Sequence, residues 1–296
     1  MNLSQLLERL KSDPFFMENV TAWRTVPARP AQYAPWPGDI DPRLPQALAK
    51  HGVHQLYTHQ AACVEAAKNG EDYVVVTPTA SGKTLCYNIP VLSAILKNPD
   101  ARALYLFPTK ALSADQVSEL YELIELMQVD VKTFTYDGDT PAAARRAVRQ
   151  AGHVVVTNPD MLHSGILPQH TKWVKLFENL QYIIIDEIHS YRGIFGSNLA
   201  NVLRRLLRLC EFYGSHPRFI LCSATIQNPK ELAETLIGRP VKLIDNNGAP
   251  SGEKHYIFYN PPVVNQQLGI RKSVLSQTQS IAAMLLKNHV QSIVFA

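Results

Sequence analysis

From residue 73 onward, the chain alternates short apolar runs, rich in β-branched and aromatic residues, with longer stretches of helical character. This alternation constrains the fold more than any other feature, because strands that alternate with helices form a parallel sheet covered by helices on both faces. We therefore predict an α/β fold with a central, mostly parallel sheet. The predicted strands are YVVVT (73–77), ALYLF (103–107), VKTFTY (131–136), HVVVT (153–157), YIIID (182–186) and RFILC (218–222).

Each of these six runs ends in a polar or glycine-containing cluster. Ligands of open parallel sheets bind outside the carboxyl ends of the strands. One cluster alone would carry little weight, but six at matching positions predict a composite ligand site along one edge of the sheet. In chain order the clusters are PTASGKT, PTKAL, DGDT, NPDM, EIHS and SAT.

The first cluster has the pattern of a phosphate-binding loop, with one departure. It closes in Ser81, Gly82, Lys83 and Thr84, but Thr77 stands where the usual Gly-x-x-x-x-Gly-Lys-Ser/Thr pattern has glycine. Such a loop binds phosphate through backbone N–H groups at a helix N-terminus and through its lysine, and its hydroxyl residue ligates Mg²⁺. Because Thr77 lies at the junction of strand and loop, we expect the N–H groups to stay in place.

An acidic cluster, DEIH (186–189), ends the fifth run. A carboxylate at this position can hold the Mg²⁺ that bridges nucleotide phosphates, and its neighbour can orient or deprotonate the attacking water. We assign the first role to Asp186, together with Thr84, and the second to Glu187. His189 is a further catalytic candidate.

The last cluster, SAT (223–225), also follows a strand. Serine and threonine hydroxyls both donate and accept hydrogen bonds. We therefore predict that Ser223 and Thr225 bond the acidic cluster and report the state of the nucleotide to the rest of the molecule.

Composition argues against several other classes of protein. Of the 296 residues 46% are apolar and 18% charged, as in ordinary globular domains, and no apolar run approaches the roughly 20 residues of a membrane span. The four cysteines are scattered and form no Cys-x-x-Cys pair, which predicts reduced thiols in a cytoplasmic protein. The net charge of +4 is compatible with a nucleic-acid partner but does not argue for one.

Taken together, TPTASGKT, PTKAL, TNPDM, DEIH and SAT resemble the motifs of the first RecA-like lobe of superfamily 2 DExD/H-box helicases. That family commonly has Ala-x-Thr-Gly-Ser-Gly-Lys-Thr in its phosphate loop, so Thr77 replaces an alanine here and Ala80 replaces a glycine. The resemblance implies a RecA-like P-loop NTPase fold. It also implies a set of nucleotide-binding residues, namely Tyr57, Gln60, Thr79, Ala80, Ser81, Gly82, Lys83 and Thr84.

The stretch LYTHQ (56–60) resembles the Q motif of the same family, in which Gln60 would read the adenine edge, and this favours ATP over GTP. The resemblance further implies that strand-end loops contact a nucleic-acid backbone, for which their N–H groups, hydroxyls and lysine are suited. The implied contact residues are Pro108, Thr109, Lys110, Gly138, Thr157, Asn158, Pro159 and Arg192.

Two longer stretches (57–92 and 186–209) are more specifically similar to YprA/MrfA-type bacterial helicases associated with DNA repair, and the resemblance covers roughly residues 20–296. It implies an ATP- and Mg²⁺-dependent helicase or translocase, with single-stranded DNA favoured over RNA. In that family a second RecA-like lobe supplies arginines to the ATP site. Because the chain ends in SIVFA, where that lobe would start, we expect a truncated motor that binds ATP but hydrolyses it poorly.

We predict four parts in the chain. They are an N-terminal helix with a proline-rich docking segment (1–50), a RecA-like ATP-binding helicase lobe (51–245), a linker rich in Gly, Asn and Pro (246–272), and the start of the second lobe (273–296).

Two other classes of function stay open. One is a non-catalytic, nucleotide-gated module that binds nucleic acid or protein, against which the intact Lys83, Asp186 and Glu187 argue. The other is a P-loop kinase of small molecules, which would not need PTKAL, TNPD and SAT at the same sheet edge. Glu187→Gln separates a motor from a binding module, because a full-length motor would lose turnover.

Overall fold

The structure is a computed structural model that describes residues 2–295. These residues form two compact units: residues 30–250 make one, and residues 2–29 together with 251–295 make the other. The sequence placed boundaries at 50, 245 and 272 instead, and that division stays a prediction. Its first and last parts include Met1 and Ala296, which lie outside the described residues.

The strands and helices are numbered here in chain order. The strands are β1 (Val20–Val26), β2 (Tyr33–Ala34), β3 (Leu56–Tyr57), β4 (Tyr73–Val76), β5 (Arg102–Leu106), β6 (Thr133–Thr135), β7 (Val154–Thr157), β8 (Leu180–Ile185), β9 (Arg218–Ser223), β10 (Lys242–Ile244), β11 (Lys254–Tyr259), β12 (Val263–Asn265) and β13 (Ile270–Arg271). The α-helices are α1 (Leu3–Ser12), α2 (Pro14–Met17), α3 (Arg43–Lys50), α4 (Thr58–Lys68), α5 (Lys83–Lys97), α6 (Lys110–Met127), α7 (Ala142–Ala151), α8 (Pro159–Met161), α9 (Val174–Glu178), α10 (Gly193–Phe212), α11 (Pro229–Ile237) and α12 (Val274–Lys287).

The unit of residues 30–250 is built on a seven-stranded sheet with the strand order β10-β4-β9-β8-β5-β7-β6. Every neighbouring pair in it is parallel. All six strands predicted from the apolar runs are present in this sheet, and the predicted α/β class is confirmed.

The strands in the middle of the sheet are largely apolar, because helices cover both of its faces. In β4, Tyr73 and Val75 pack into one core cluster with side chains of α3, α4, α5 and α6. Val74 and Val76 pack into the other cluster, with side chains of α9, α10 and α11. Since fully burying one valine side chain contributes about 1.5–3 kcal/mol, such two-sided strands fix the sheet and hence the positions of the loops at its edge.

The unit of residues 2–29 and 251–295 is held by the antiparallel pairing of β1 with β11. Side chains of β11 alternate between half-buried and exposed, the pattern of a strand with one covered face. The Trp23 indole N–H donates to Nδ1 of His255 at 3.2 Å, and the rings of Phe16 and Tyr259 lie 4.9 Å apart. Residues 246–272 were predicted as a linker, and they contain β11 and the β12–β13 hairpin. The alternating side chains of KHYIFY suit the strand β11.

Candidate functional site

The polar clusters predicted from the sequence follow the carboxyl ends of six strands that lie side by side. The loops after β4, β9 and β8 carry PTASGKT, SAT and DEIH, and we call them the inner strand ends. The loops after β5, β7 and β6 carry PTKAL, TNPD and DGDT, and we call them the outer strand ends. The sheet topology therefore assembles one continuous edge from segments that are far apart in the chain.

The phosphate loop connects β4 to α5 and turns through two residues in the left-handed region, Ala80 (φ 60°) and Gly82 (φ 75°). A non-glycine residue is strained there, which explains why the family pattern has glycine at the position of Ala80. Thr77 and Ser81 close the base of the loop by a hydroxyl–hydroxyl hydrogen bond of 2.6 Å, and both are buried. Thr77, in place of the expected glycine, therefore stabilises the loop.

The amine of Lys83 folds back onto the loop, where it donates to the carbonyl oxygens of Thr77 at 3.0 Å and Pro78 at 3.1 Å. The first residue of a helix is at the positive end of the helix dipole, and the preceding N–H groups point outward from it. The loop thus combines backbone N–H groups and one ammonium group, which together suit an anion.

The first turn of α4 holds the other side of the phosphate loop. Gln60 donates from its amide nitrogen to the carbonyl oxygen of Gly82 at 3.0 Å and accepts from the N–H of Tyr57 at 2.9 Å. A side chain at Gly82 would meet the Gln60 amide nitrogen at 2.6 Å and would displace Gln60 from its bond to the loop. Gln60 is therefore placed directly beside the loop.

A cavity of about 530 Å³ opens beside Gln60. The ring of Tyr33, from β2, stacks on the ring of Tyr57 with 5.5 Å between centroids and an interplanar angle of 22°. Tyr33 was missed as a site residue from the sequence, because only the pairing of β2 with β3 brings it here. The residues that line the cavity are Tyr33, Gly52, Val53, His54, Gln55, Tyr57, Gln60, Gly82 and Leu85.

The two predicted Mg²⁺ ligands, Thr84 and Asp186, are joined by a chain of hydrogen bonds. The hydroxyls of Thr84 and Tyr87 both donate to Oε1 of Gln116, at 2.8 Å and 2.7 Å. The Tyr87 hydroxyl also lies 3.3 Å from Oδ2 of Asp186. Burial, and then the neighbouring Glu187 carboxylate, raise the pKa of Asp186 to about 6 despite the N–H that Glu187 donates to it. Gln116 and Tyr87 had no motif that could have pointed to them.

The acidic cluster contacts the SAT segment through His189. Nδ1 of His189 lies 3.1 Å from Oε2 of Glu187 and 3.3 Å from the N–H of Ala224. An unprotonated Nδ1 accepts from Ala224 and so connects the two clusters, whereas a protonated Nδ1 donates to the Glu187 carboxylate within the acidic cluster. Glu187 itself has φ 52°, a strained conformation of the kind found at functional sites.

The two hydroxyl residues of the SAT segment differ in exposure. Ser223 is fully buried, and its Oγ has no hydrogen-bond partner within residues 2–295. Thr225 is exposed. The contact with the acidic cluster is made by the backbone N–H of Ala224, so the predicted hydroxyl contacts stay a prediction.

At the outer strand ends, Lys110 is exposed and its amine forms ion pairs with Asp139 and, at 3.7 Å, with Asp137. The hydrogen bond to Asp139 raises the pKa of Lys110. Arg145 stabilises the loop that carries both aspartates, because its guanidinium donates to backbone carbonyl oxygens, including that of Thr140 at 2.9 Å. Gly138, at the tip of the same loop, is exposed, Pro108 is half-buried, and Thr109 caps α6.

The remaining predicted contact residues differ in exposure. The Thr157 hydroxyl is buried and donates to the carbonyl oxygen of Tyr136 at 2.6 Å. Asn158 accepts from the N–H of Met161 at 2.8 Å and so caps α8, and Pro159 is buried. Arg192 is exposed at the start of α10.

Comparison with known proteins places the chain in a family. The DEAD/DEAH box helicase family matches residues 57–232. The uncharacterized ATP-dependent helicase YprA of Bacillus subtilis is 58% identical over 295 residues, which cover 100% of this chain and 39% of YprA. The ATP-dependent helicase HRQ1 of Saccharomyces cerevisiae is 37% identical over 300 residues, covering 99% of this chain and 27% of HRQ1.

A crystal structure of the DUF1998 helicase MrfA bound to DNA and AMPPNP superposes with a TM-score of 0.95 at 57% identity, over 100% of this chain and 41% of MrfA. The chain belongs to the DEAD/DEAH box helicase family and has the RecA-like fold that the motifs predicted. It spans 39% and 27% of the lengths of YprA and HRQ1. No helix within residues 2–295 is long and apolar enough to cross a membrane.

Proposed function

We propose that the chain is the first motor lobe of an ATP-dependent helicase or translocase that acts on single-stranded nucleic acid, with DNA favoured. The observation that carries the proposal is the convergence of the phosphate loop, the acidic cluster and the SAT segment on three neighbouring strands, β4, β9 and β8. Family membership and the AMPPNP and DNA bound by MrfA support it. A role in DNA repair and a cytoplasmic location belong to the same proposal.

The residues present fit ATP and Mg²⁺. Thr84 and Asp186 would hold the ion, and they are already linked through Gln116 and Tyr87. No group of three or more His, Cys, Asp or Glu residues in the described chain could hold a metal by itself, and Mg²⁺ sites commonly use one or two carboxylates together with substrate phosphates. When bound, Mg²⁺ supplies positive charge that offsets the charge of the phosphates.

The protein's own groups have separate roles in binding the nucleotide and in hydrolysis. Lys83 exchanges its two loop carbonyls for phosphate oxygen, and the loop N–H groups hold the same charge. Glu187 orients the attacking water and accepts its proton, while His189 fixes the Glu187 carboxylate. Tyr33 and Tyr57 offer a stacked aromatic surface and Gln60 a polar edge, which suit an adenine ring.

The outer strand ends supply most of the proposed nucleic-acid contacts. Lys110 and the loop tip at Gly138 are exposed there, and Arg192, which follows the inner strand β8, is exposed as well, as contacts with a phosphate backbone require. Thr157 and Asn158 shape the neighbouring loop through their own hydrogen bonds, so its backbone groups are presented in a fixed arrangement. Such contacts bind the backbone without reading its sequence.

The first experiment is a titration of this chain with a fluorescent ATP analogue, with and without Mg²⁺. It is paired with ATP turnover measured alone, with single-stranded DNA and with RNA. We expect Mg²⁺-dependent binding of the analogue, and the three turnover rates show whether single-stranded DNA or RNA stimulates hydrolysis by this chain. Failure to bind the analogue would contradict the proposal, and the preference between DNA and RNA would identify the polymer.

The second experiment compares Glu187→Gln with the wild type in a full-length protein. A motor should retain nucleotide binding, because Glu187 holds no phosphate, but lose turnover by about 100-fold or more, the usual contribution of a general base. A protein whose nucleic-acid-dependent function survives this change would be a nucleotide-gated binding module.

A further inference from the structure

His59 joins two distant backbone segments inside the unit of residues 30–250. It lies in the first turn of α4 and is 1% exposed. Its Nε2 lies 3.1 Å from the carbonyl oxygen of Ser81 in the phosphate loop. Its Nδ1 lies 3.2 Å from the backbone nitrogen of Gly248, 189 residues further along the chain. The two ring nitrogens therefore connect the phosphate loop to the last residues of this unit.

The chemistry of the two bonds fixes the tautomer of the ring. The Gly248 N–H can only donate, so Nδ1 must be the unprotonated nitrogen and Nε2 must carry the hydrogen that goes to Ser81. The ring is consequently neutral. Burial, and to a smaller extent the nearby Lys83 charge, lower the pKa of His59 in agreement with this assignment.

The Gly248 end of this connection is closely packed. The Gly248 carbonyl accepts from the N–H of Gln32 at 2.8 Å, and the Thr58 N–H donates to the Gln32 carbonyl at 3.0 Å. A Cβ at Gly248 would lie 2.7 Å from the Gln32 oxygen and 2.8 Å from the Thr58 nitrogen. The backbone at Gly248 is thus packed closely against Gln32 and the start of α4.

We propose that His59 is a positioning residue that transmits the state of the phosphate loop to the segment around Gly248. Gly248 lies just before Ser251, where the second compact unit resumes. The inference rests on the proposed function in one respect, namely that nucleotide binds at the phosphate loop. It assigns to His59 a role that the motif residues Gln60 and Lys83 do not have.

The physical link starts at Lys83, whose amine now bonds the carbonyls of Thr77 and Pro78. When Lys83 turns to phosphate, those carbonyls are released and the loop is anchored by the ligand instead. Ser81 is part of that loop, so its bond to His59 becomes less mobile. The ring then holds the Gly248 N–H more firmly, because one rigid imidazole carries both bonds.

The test is hydrogen–deuterium exchange of this chain, followed in peptides that cover residues 245–249, with and without AMPPNP–Mg²⁺. We expect AMPPNP to slow exchange at the Gly248 amide by about fivefold or more, the lower range of measured couplings between sites. Binding of AMPPNP is measured in the same samples. Binding without any change in exchange at Gly248 overturns the inference while leaving the proposed function intact, whereas absence of binding overturns both.

Two substitutions separate the two bonds. His59→Asn places an amide oxygen near the position of Nδ1, so it keeps an acceptor for Gly248 but loses the donor to Ser81. His59→Gln places an amide nitrogen near Nε2, so it keeps the donor but loses the acceptor. We expect slow basal exchange at Gly248 in the first variant and fast exchange in the second. Neither variant should respond to AMPPNP.

The matched control is His153→Gln. His153 is half-buried, and its Nδ1 also accepts a backbone N–H, that of Lys132 at 3.0 Å, but it is remote from the phosphate loop. This variant should keep the wild-type response at Gly248. A wild-type response in either His59 variant would overturn the inference, and if both fail to fold, the wild-type measurement still decides it.

Discussion

The inner and outer strand ends lie on one sheet edge but are built in different ways. At the inner ends, polar groups are buried and held by one another, as in the Thr77–Ser81 hydroxyl pair and the chain from Thr84 to Asp186. At the outer ends, Lys110 faces solvent and is paired with the exposed Asp139 and the half-buried Asp137.

This difference predicts that the two regions bind their ligands in different ways. Breaking a buried hydrogen bond costs about 1–3 kcal/mol for each group that is left without a partner. The inner ends therefore form a rigid binding site. Exposed ion pairs contribute little and are screened by salt, so Lys110 can exchange one anionic partner for another. The inner site suits a small ligand of fixed shape, and the outer face suits a polymer whose backbone is bound and released repeatedly.

The largest expected effect is that of Lys83→Ala on nucleotide affinity. Hydrogen bonds to charged groups are worth about 1.5–3 kcal/mol, so affinity for ATP–Mg²⁺ should fall by about 10- to 150-fold in the same fluorescence titration. The fold should persist, because the Lys83 side chain is half-buried and the change removes these two hydrogen bonds and no core contact. Lys97→Ala, which removes an exposed lysine from the far end of α5, is the control and should bind as the wild type does.

The second prediction concerns pH and the inner site. Burial lowers the pKa of His59 below the ordinary value of 6.5, so below pH 6.5 the unfolded chain binds a proton that the folded chain does not. Stability is therefore fully present above pH 6.5 and declines as pH falls toward the folded pKa, by at most about 1.4 kcal/mol per pH unit. Urea unfolding between pH 5 and 7 measures this.

The matching variant is His59→Asn. Removal of His59 should flatten the decline in unfolding free energy below pH 6.5 relative to the wild type. An unchanged slope in His59→Asn would show that the buried ring does not titrate differently on folding. His153, whose pKa is also lowered by burial, adds a decline of the same sign in both proteins.

The sequence predicted best the features that a local residue pattern determines, namely the strands and the motif residues at their ends. Continuous apolar runs predicted the strands because both faces of the sheet are covered, and the motif letters located Lys83 and Asp186 at their ends. Tyr33 and Gln116 could not be found in this way, because long-range pairing brings them to the site: β2 pairs with β3, and α6 lies against Thr84. The Asp139 partner of Lys110 likewise depends on the packing of two loops.

The third prediction tests the exposed ion pair of the outer ends. Asp139→Asn removes one negative charge and leaves Lys110 only the longer ion pair with Asp137, so affinity for single-stranded DNA should rise by about two- to fivefold, the range of an exposed ion pair. Lys110→Gln should lower it, with a salt slope smaller by about 0.7 if one phosphate contact is lost. Fluorescence anisotropy over a series of salt concentrations measures both.

The pair Lys132–Asp130 provides the control, because it is also exposed but lies at the opposite end of β6. Asp130→Asn removes the same charge and should leave the affinity for DNA nearly unchanged. In the Lys110→Gln background, Asp139→Asn should have lost most of its effect. Equal gains from Asp130→Asn and Asp139→Asn would show that net charge alone matters and that the ion pair is irrelevant.

The smallest effect is expected for Ser223→Ala. The buried Ser223 hydroxyl has no partner in the described chain, so its removal should leave the free energy of unfolding within about 1 kcal/mol of the wild type or raise it. Thr77→Val, which leaves the buried Ser81 hydroxyl without a partner, should instead lower the free energy of unfolding by about 1–3 kcal/mol.

If Ser223→Ala is neutral in unfolding yet weakens the effect of AMPPNP on DNA affinity, the hydroxyl forms its hydrogen bond only in the liganded state. If that coupling also survives, the Ala224–His189 contact carries the connection between the two clusters.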